Sequence, residues 1–236
     1  MITIRRSEER GHIELGWLNS YQTFSFGSYS DPAHNNFRAL RVLNQDCIAP
    51  GKGFGAHGHR DMEIFTYVME GGLAHRDSMG ENHVLRPNMI QAMSAGNGVI
   101  HSEFNASQTE PVHLLQVWIT PAVEDVAPRY RQFGYDPSEK QGRLRLLVGP
   151  EENPPEPAAF IHQDARAYTS VLGPGQSLEQ PIARGRHAWV QCARGNITVN
   201  ELMLKEGDGA AVSDERAVTI SGAGPGGGEL LFIDLA

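Results

Sequence analysis

The sequence is poor in cysteine and has no long apolar run. Its 236 residues include two cysteines, Cys47 and Cys192, which lie far apart. A disulfide between them is conceivable, but two lone cysteines in a chain without an export signal are more often reduced thiols, so we interpret both as structural. The first residues lack the apolar stretch of a secretory signal, and no segment approaches the roughly 18 consecutive apolar residues of a membrane span. These absences predict a cytoplasmic protein without a membrane partner.

The sequence also lacks a basic block. The formal net charge is −8, and no cluster of lysine and arginine stands out along the chain. Nucleic-acid-binding surfaces normally need such clusters, so the charge pattern argues against a nucleic-acid partner. A protein partner stays open, and we expect a monomer.

Long stretches with helical periodicity are missing as well, so helices should be few and short. The 26 glycines and 14 prolines instead separate short apolar alternations. In residues 113–119, apolar and other side chains alternate with a period of two until Pro121, which is typical of a β-strand. Many short strands with regular turns predict an all-β sandwich or barrel.

Composition divides the chain into two β units. Prolines are frequent between Pro121 and Pro157, and acidic residues accompany them, which favours a surface connection. We therefore predict a first barrel over residues 1–125, a proline-rich connection over 126–157 and a second barrel over 158–236. The apolar run at 144–148 is expected to belong to the second barrel. Residues 63–71 and 187–195 align as a suggestive internal repeat, each an apolar strand that ends in a glycine turn.

Two pairs of side chains at positions i and i+2 indicate a metal site: His57 with His59, and His101 with Glu103. Side chains at i and i+2 of a strand point to the same face, so each pair can present two ligands to one interior. Three imidazoles and one carboxylate suit a divalent first-row metal and are too rich in nitrogen for calcium or magnesium. Such a set leaves two open positions on an octahedral metal and none on a tetrahedral one. The alternative is a hydrogen-bonded histidine cluster at a barrel mouth.

The residues that flank these pairs are more specific than the pairs themselves. The spacing resembles the two motifs of the cupin superfamily, G-x5-H-x-H-x3-E and G-x2-H-x3-N, through Gly51, Glu63, Gly98 and Asn105. Residues 16–26, 53–64 and 93–103 are similar to the signature and metal-site segments of the pirin family, and to its bacterial quercetinase-like members in particular. This resemblance implies a bicupin fold: two jelly-roll barrels in tandem, of which only the first holds metal. The second unit contains His162 and His187 but no paired ligands.

The carboxylate ligand has two candidates. Most metal-binding cupins use the glutamate of the first motif, here Glu63, whereas the pirin pattern takes it from the His-x-Glu strand, here Glu103. We prefer Glu103 as the ligand and place Glu63 nearby as a hydrogen-bonding partner, although a fifth ligand is possible. Other side chains are interpreted as surface or core residues: His75, His83, His113, and the pocket candidates Phe54, Met93, Gln116 and Trp118.

The resemblance to bacterial pirins implies a quercetin 2,3-dioxygenase of flavonoid metabolism. Quercetin and dioxygen would meet at one divalent metal, the heterocycle would open, and carbon monoxide would leave behind a depside ester. Glu103 would serve as ligand and as proton acceptor. Iron is favoured as the metal, with zinc, copper, cobalt, nickel and manganese as alternatives, because one ligand set accepts several metals. Two other functions stay open: a metal-dependent redox-sensing regulator that binds a protein partner, and a ligand-binding barrel with a structural metal.

Overall fold

The computed structural model describes residues 1–152, 154 and 156–236. These residues form 21 strands and two short 3₁₀ helices, Ser7–Glu9 and Pro137–Lys140. The prediction of an all-β fold with few short helices is therefore confirmed. Within the described residues, no helix is long and apolar enough to cross a membrane. Pro155, part of the predicted connection, lies outside the described residues.

Two facing sheets make up the first half of the chain. In chain order the first twelve strands are β1 (Ile2–Arg5), β2 (Gly11–Glu14), β3 (Leu18–Gln22), β4 (Leu40–Ile48), β5 (Gly53–His59), β6 (Glu63–Glu70), β7 (Leu73–Asp77), β8 (Asn82–Leu85), β9 (Met89–Ser94), β10 (Val99–Asn105), β11 (Val112–Ile119) and β12 (Arg129–Gly134). One sheet has seven strands in the order β12-β9-β6-β11-β4-β3-β2, and the other has four in the order β5-β10-β7-β8. Leu73 and Leu85 of the small sheet pack in one buried cluster with Ile48, Val68 and Leu114 of the large sheet.

A ten-stranded sheet makes up the second half. Its later strands are β13 (Arg145–Gly149), β14 (Ala159–Phe160), β15 (Ala165–Leu172), β16 (Ser177–Pro181), β17 (His187–Val199), β18 (Leu202–Lys205), β19 (Gly209–Val212), β20 (Ala217–Gly222) and β21 (Gly228–Leu235). The main path runs β1-β19-β17-β21-β15-β13-β14, with β18 and β20 also paired to β17 and β16 paired to β20. The long strand β17 therefore contributes to two layers of this sheet: it pairs with β19 and β21 in one layer and with β18 and β20 in the other. A cluster of apolar side chains fills the space between the two layers.

Strands β6 and β11 are buried on both faces, because the second half covers the outer face of the seven-stranded sheet. Phe65 and Tyr67 of β6 and Val117 of β11 share one buried cluster with Leu231 and Ile233 of β21. The alternate positions of β6 and β11 face the interior of the first half. The period-two alternation of residues 113–119 therefore separates an interdomain face from an interior face.

Sheet membership crosses the predicted domain boundaries at two strands. β1, expected in the first barrel, pairs antiparallel with β19 of the second half. β12, expected in the connection, pairs with β9 along its whole length as an edge strand. Its half-exposed polar residues concealed that strand in the sequence. Residues 145–149 form β13 and pair with β15. The division at 125 and 157 stays a prediction about folding units.

A buried polar cluster joins the two halves. Lys140 donates to the Glu229 carboxylate at 2.5 Å and to the Tyr67 hydroxyl at 3.0 Å. The Tyr67 hydroxyl also bonds Glu229, and it lies 2.9 Å from the Thr169 hydroxyl. The Lys140 and Glu229 side chains are only 10% and 13% exposed. Removal of one charge would therefore leave the other nearly buried and unpaired.

We expect Lys140→Met to lower the free energy of unfolding by about 3 kcal/mol, because it leaves the Glu229 carboxylate without its counter-ion. The double variant Lys140→Met/Glu229→Gln should recover much of that loss. Chemical denaturation of wild type, both single variants and the double variant measures the coupling. Equal stability of the double variant and Lys140→Met would contradict the role of the pair.

Candidate metal centre

The two ligand pairs lie on neighbouring strands. β5 and β10 are antiparallel, with His57 opposite His101 and His59 opposite Val99. Directly opposed residues share one face of a sheet, so the three imidazoles project from the four-stranded sheet toward the seven-stranded sheet. His101 is buried, whereas His57 and His59 are half-buried.

The three imidazoles meet at one point. Nε2 of His101 lies 2.8 Å from Nε2 of His59 and 3.0 Å from Nε2 of His57. Nitrogens bound to one metal at about 2.1 Å and at right angles are separated by about 3.0 Å. The observed spacing therefore suits three ligands on one face of a metal ion. The ligand atoms of these three histidines form one compact group.

Neighbouring groups fix the orientation of the rings. Nδ1 of His57 lies 2.8 Å from the Gly55 carbonyl oxygen, so this nitrogen carries the proton and Nε2 presents its lone pair to the centre. The Trp118 ring meets the His59 ring edge to face, with centroids 4.8 Å apart. These two contacts orient the rings of His57 and His59.

Glu103 lies beside the histidines and deeper in the interior. A register shift in the β5–β10 pairing places Glu103 opposite Phe54, and the regular β10–β7 pairing places it opposite His75. One carboxylate oxygen accepts a hydrogen bond of 2.6 Å from Gln116, while the other, Oε1, is buried without a partner among the described residues. Glu103 belongs to a second potential ligand group with His75 and His101. His101 is therefore shared between two adjoining groups.

His75 is a site residue that sequence analysis assigned to the surface or core. It is completely buried, its ring packs against that of His101 at 5.2 Å, and it bonds both Asp77 and Gln91. His75 and Asp77 form a further pair at i and i+2, which is the signal that would have identified them. The contacts also satisfy both ring nitrogens, as expected for a core histidine.

Burial sets the charge state of the site. Desolvation, followed by repulsion from neighbouring imidazoles, lowers the pKa of His59 to about 4 and that of His101 to about 2. Desolvation and, as the second cause, charge repulsion from the nearby Asp46 raise the pKa of Glu103 to about 8. At neutral pH the His59 and His101 imidazoles are thus free to donate lone pairs, and the Glu103 carboxyl group keeps its proton until a cation compensates its charge.

A cavity of about 410 Å³ opens onto the histidines. Its walls combine aromatic and aliphatic side chains with a few polar groups: Trp17, Phe26, Phe54, Ile64, Trp118, Asn44, Asp46 and Gln116. Of the pocket candidates, Phe54, Gln116 and Trp118 line this cavity, whereas Met93 packs in a core cluster with Ile64, Ala95 and Val99. Asn44 and Asp46 were not anticipated, although they too are spaced at i and i+2.

Glu63 is held away from the histidine cluster. Its carboxylate accepts a 2.6 Å hydrogen bond from Ser94 and lies 3.2 Å from Nδ1 of His162 in the second half. It is not part of either potential ligand group among the described residues. Its hydrogen-bonding partners are therefore at the junction of the two halves. His187, the other histidine of the second half, contacts the Ser213 hydroxyl.

Two family models match the chain. The model described as Pirin matches residues 3–119, and the model described as Quercetinase C-terminal cupin domain matches residues 146–235.

Several known proteins are similar to this chain over its whole length. The chain is 43% identical over 236 residues to quercetin 2,3-dioxygenase of Escherichia coli K12, covering 100% of this chain and 99% of the relative. It is 34% identical to a pirin-like protein of Caulobacter vibrioides, with all of both chains covered. A crystal structure of the bacterial pirin YhhW from Escherichia coli in complex with nickel(II) superposes with a TM-score of 0.92 at 40% identity, covering 100% of this chain and 99% of that one.

If His59 and His101 are direct ligands, replacement of either by alanine should weaken metal binding by more than the roughly 10- to 100-fold that loss of an outer hydrogen bond costs. Elemental analysis after dialysis, together with titration of the metal-free protein with nickel(II), measures the loss. His83→Ala is the control, since His83 lies on β8, is exposed and bonds Glu81. Full metal content in either ligand variant would disprove the assignment.

Proposed function

We propose that this chain, which belongs to the pirin family, is a metal-dependent flavonol dioxygenase that opens the heterocycle of quercetin with dioxygen and releases carbon monoxide. The observation that carries the proposal is the convergence of three imidazole nitrogens at the mouth of an apolar cavity, beside a buried carboxyl group. The quercetin 2,3-dioxygenase of Escherichia coli, similar over the full length, supports the same reaction class.

His57, His59 and His101 are the proposed histidine ligands, and Glu103 is the proposed carboxylate ligand. The fit rests on the donor chemistry: three imidazoles with nitrogens 2.8–3.0 Å apart, and a buried carboxylate oxygen without a partner among the described residues. A bound first-row metal would supply Lewis acidity toward a flavonol oxygen and a place for dioxygen to react. Iron is our first choice, and the nickel complex of YhhW shows that a pirin accepts nickel.

Glu103 is the proposed proton acceptor for the 3-hydroxyl of the flavonol. Gln116 holds one oxygen of the carboxylate, and Thr66 in turn donates to the Gln116 side chain at 2.9 Å. This chain of hydrogen bonds across the interior fixes the carboxylate and leaves its second oxygen for the substrate or the metal. Loss of the hydroxyl proton makes the flavonol electron-rich enough for attack by dioxygen.

The cavity walls suit a flat aromatic substrate. Trp17 and Phe54 pack edge to face with centroids 5.4 Å apart, and Phe26 meets Trp118 in the same way at 5.2 Å. These rings offer apolar contact to a flat flavonol and exclude water from the reacting carbons. Dioxygen adds across the heterocycle, and the two products, carbon monoxide and the depside ester, together contain all atoms of both substrates.

Metal-loaded protein should consume quercetin only in the presence of dioxygen. The expected readouts are loss of the quercetin absorbance and release of carbon monoxide, both abolished by a chelator. Oxygen uptake without carbon monoxide would indicate a different ring-cleaving reaction. Absence of turnover in fully metallated protein, with each of several first-row metals, would favour the alternative: a redox-sensing regulator that binds a protein partner.

Glu103→Gln should keep the shape of the site and lower kcat by roughly 10²- to 10⁴-fold, because an amide cannot accept the hydroxyl proton. Metal content is measured in the same samples, so that loss of the ligand is separated from loss of the base. Glu103→Ala should lower both metal affinity and kcat. Unchanged kcat in fully metallated Glu103→Gln would exclude Glu103 as the base.

A further inference from the structure

Asn44 and Asp46 form a polar patch on the cavity wall that faces the histidines. They lie at i and i+2 on β4, where Asn44 is opposite Gln116 and Asp46 is opposite Leu114 of β11. Opposed and alternate positions share a face, so Asn44, Asp46 and Gln116 all point into the interior from the seven-stranded sheet. The histidines approach from the four-stranded sheet, and an occupant of the cavity lies between the two.

The patch presents hydrogen-bond acceptors that have no donor. Asn44 and Asp46 are 4% and 3% exposed, and Oδ1 of each is buried without a partner among the described residues. The Asp46 carboxylate also receives a hydrogen bond from Ser20. Buried acceptors without partners are uncommon in folded proteins and indicate a missing donor.

The cavity composition narrows the identity of that donor. Most of the lining is apolar and aromatic, which suits an aromatic ring rather than a chain of waters or a sugar. The acceptors are an amide oxygen and a carboxylate, and both accept hydrogen bonds from O–H groups. An aromatic molecule that carries hydroxyl groups satisfies both requirements.

We propose that Asn44 and Asp46 form a hydroxyl-binding subsite that selects aromatic substrates with phenolic hydroxyls in addition to the one directed to the histidines. The inference rests on the proposed function for the substrate class and adds the residues that discriminate within it. Asn44 and Asp46 are binding residues in this assignment, separate from the proposed base Glu103.

Anaerobic binding to the metal-loaded protein tests the subsite without turnover. Quercetin and 3-hydroxyflavone, which has a single hydroxyl group, are titrated while tryptophan fluorescence is followed, since Trp17 and Trp118 line the cavity. Wild type should bind quercetin at least about tenfold more tightly than 3-hydroxyflavone. Asp46→Leu and Asn44→Leu should each remove most of that preference by weakening quercetin alone, and Asp46→Asn should do so in part.

Gln45→Met is the matched control, because Gln45 is buried on the same strand but bonds Arg10 and His113 on the opposite face. It should retain the preference for quercetin even if its thermal stability falls. Equal binding of the two flavonols by wild type, or equal weakening of both in Asp46→Leu and Asn44→Leu, would overturn the subsite. Selective binding without carbon monoxide release under oxygen would overturn the proposed function and leave the subsite standing.

Discussion

Antiparallel pairing of β5 with β10 sets His57 opposite His101, and the three imidazoles meet only while that register holds. A slip by one residue would turn both histidines of β5 to the outer face of the sheet. The register shift between β5 and β10 after His101 places Glu103 opposite Phe54, whereas the regular pairing of β10 with β7 places Glu103 opposite His75. One backbone arrangement therefore determines which nitrogens converge and where the carboxyl group lies relative to them.

Burial gives these groups their chemical character. Desolvation lowers the pKa of His59 and His101, which keeps both imidazoles neutral. It also raises the pKa of the Glu103 carboxyl to about 8. His59, His101 and Glu103 are thus uncharged at neutral pH, and a divalent cation would shift the Glu103 carboxyl toward its ionised form. The low polarity of the site therefore leaves the lone pairs of His59 and His101 unprotonated and able to bind a cation.

The second half acts on the site through the seven-stranded sheet. β11 carries Gln116 and Trp118 on its interior face, and its outer face packs with β21 in the shared cluster. Tyr67 of β6 joins the buried cluster with Lys140 and Glu229, while Glu63 of the same strand reaches His162. The second half thereby packs against the outer face of the strands that form the cavity wall. It contributes rigidity to a site that lies in the first half.

The sequence by itself determined the all-β class and the pairs His57 with His59 and His101 with Glu103, because alternation and i, i+2 spacing are local properties of a strand. The motif segments that resemble the pirin family indicated the family. The meeting of His101 with the β5 histidines required the pairing of β5 with β10. The tertiary structure alone decided the pairing of β1 with β19, the contact of Glu63 with His162, and the placement of His75 beside His101. It also brought Asn44 and Asp46 to face the histidines from another sheet. These relations depend on which distant strands become neighbours, and neither periodicity nor composition of one segment specifies its partner across the interior.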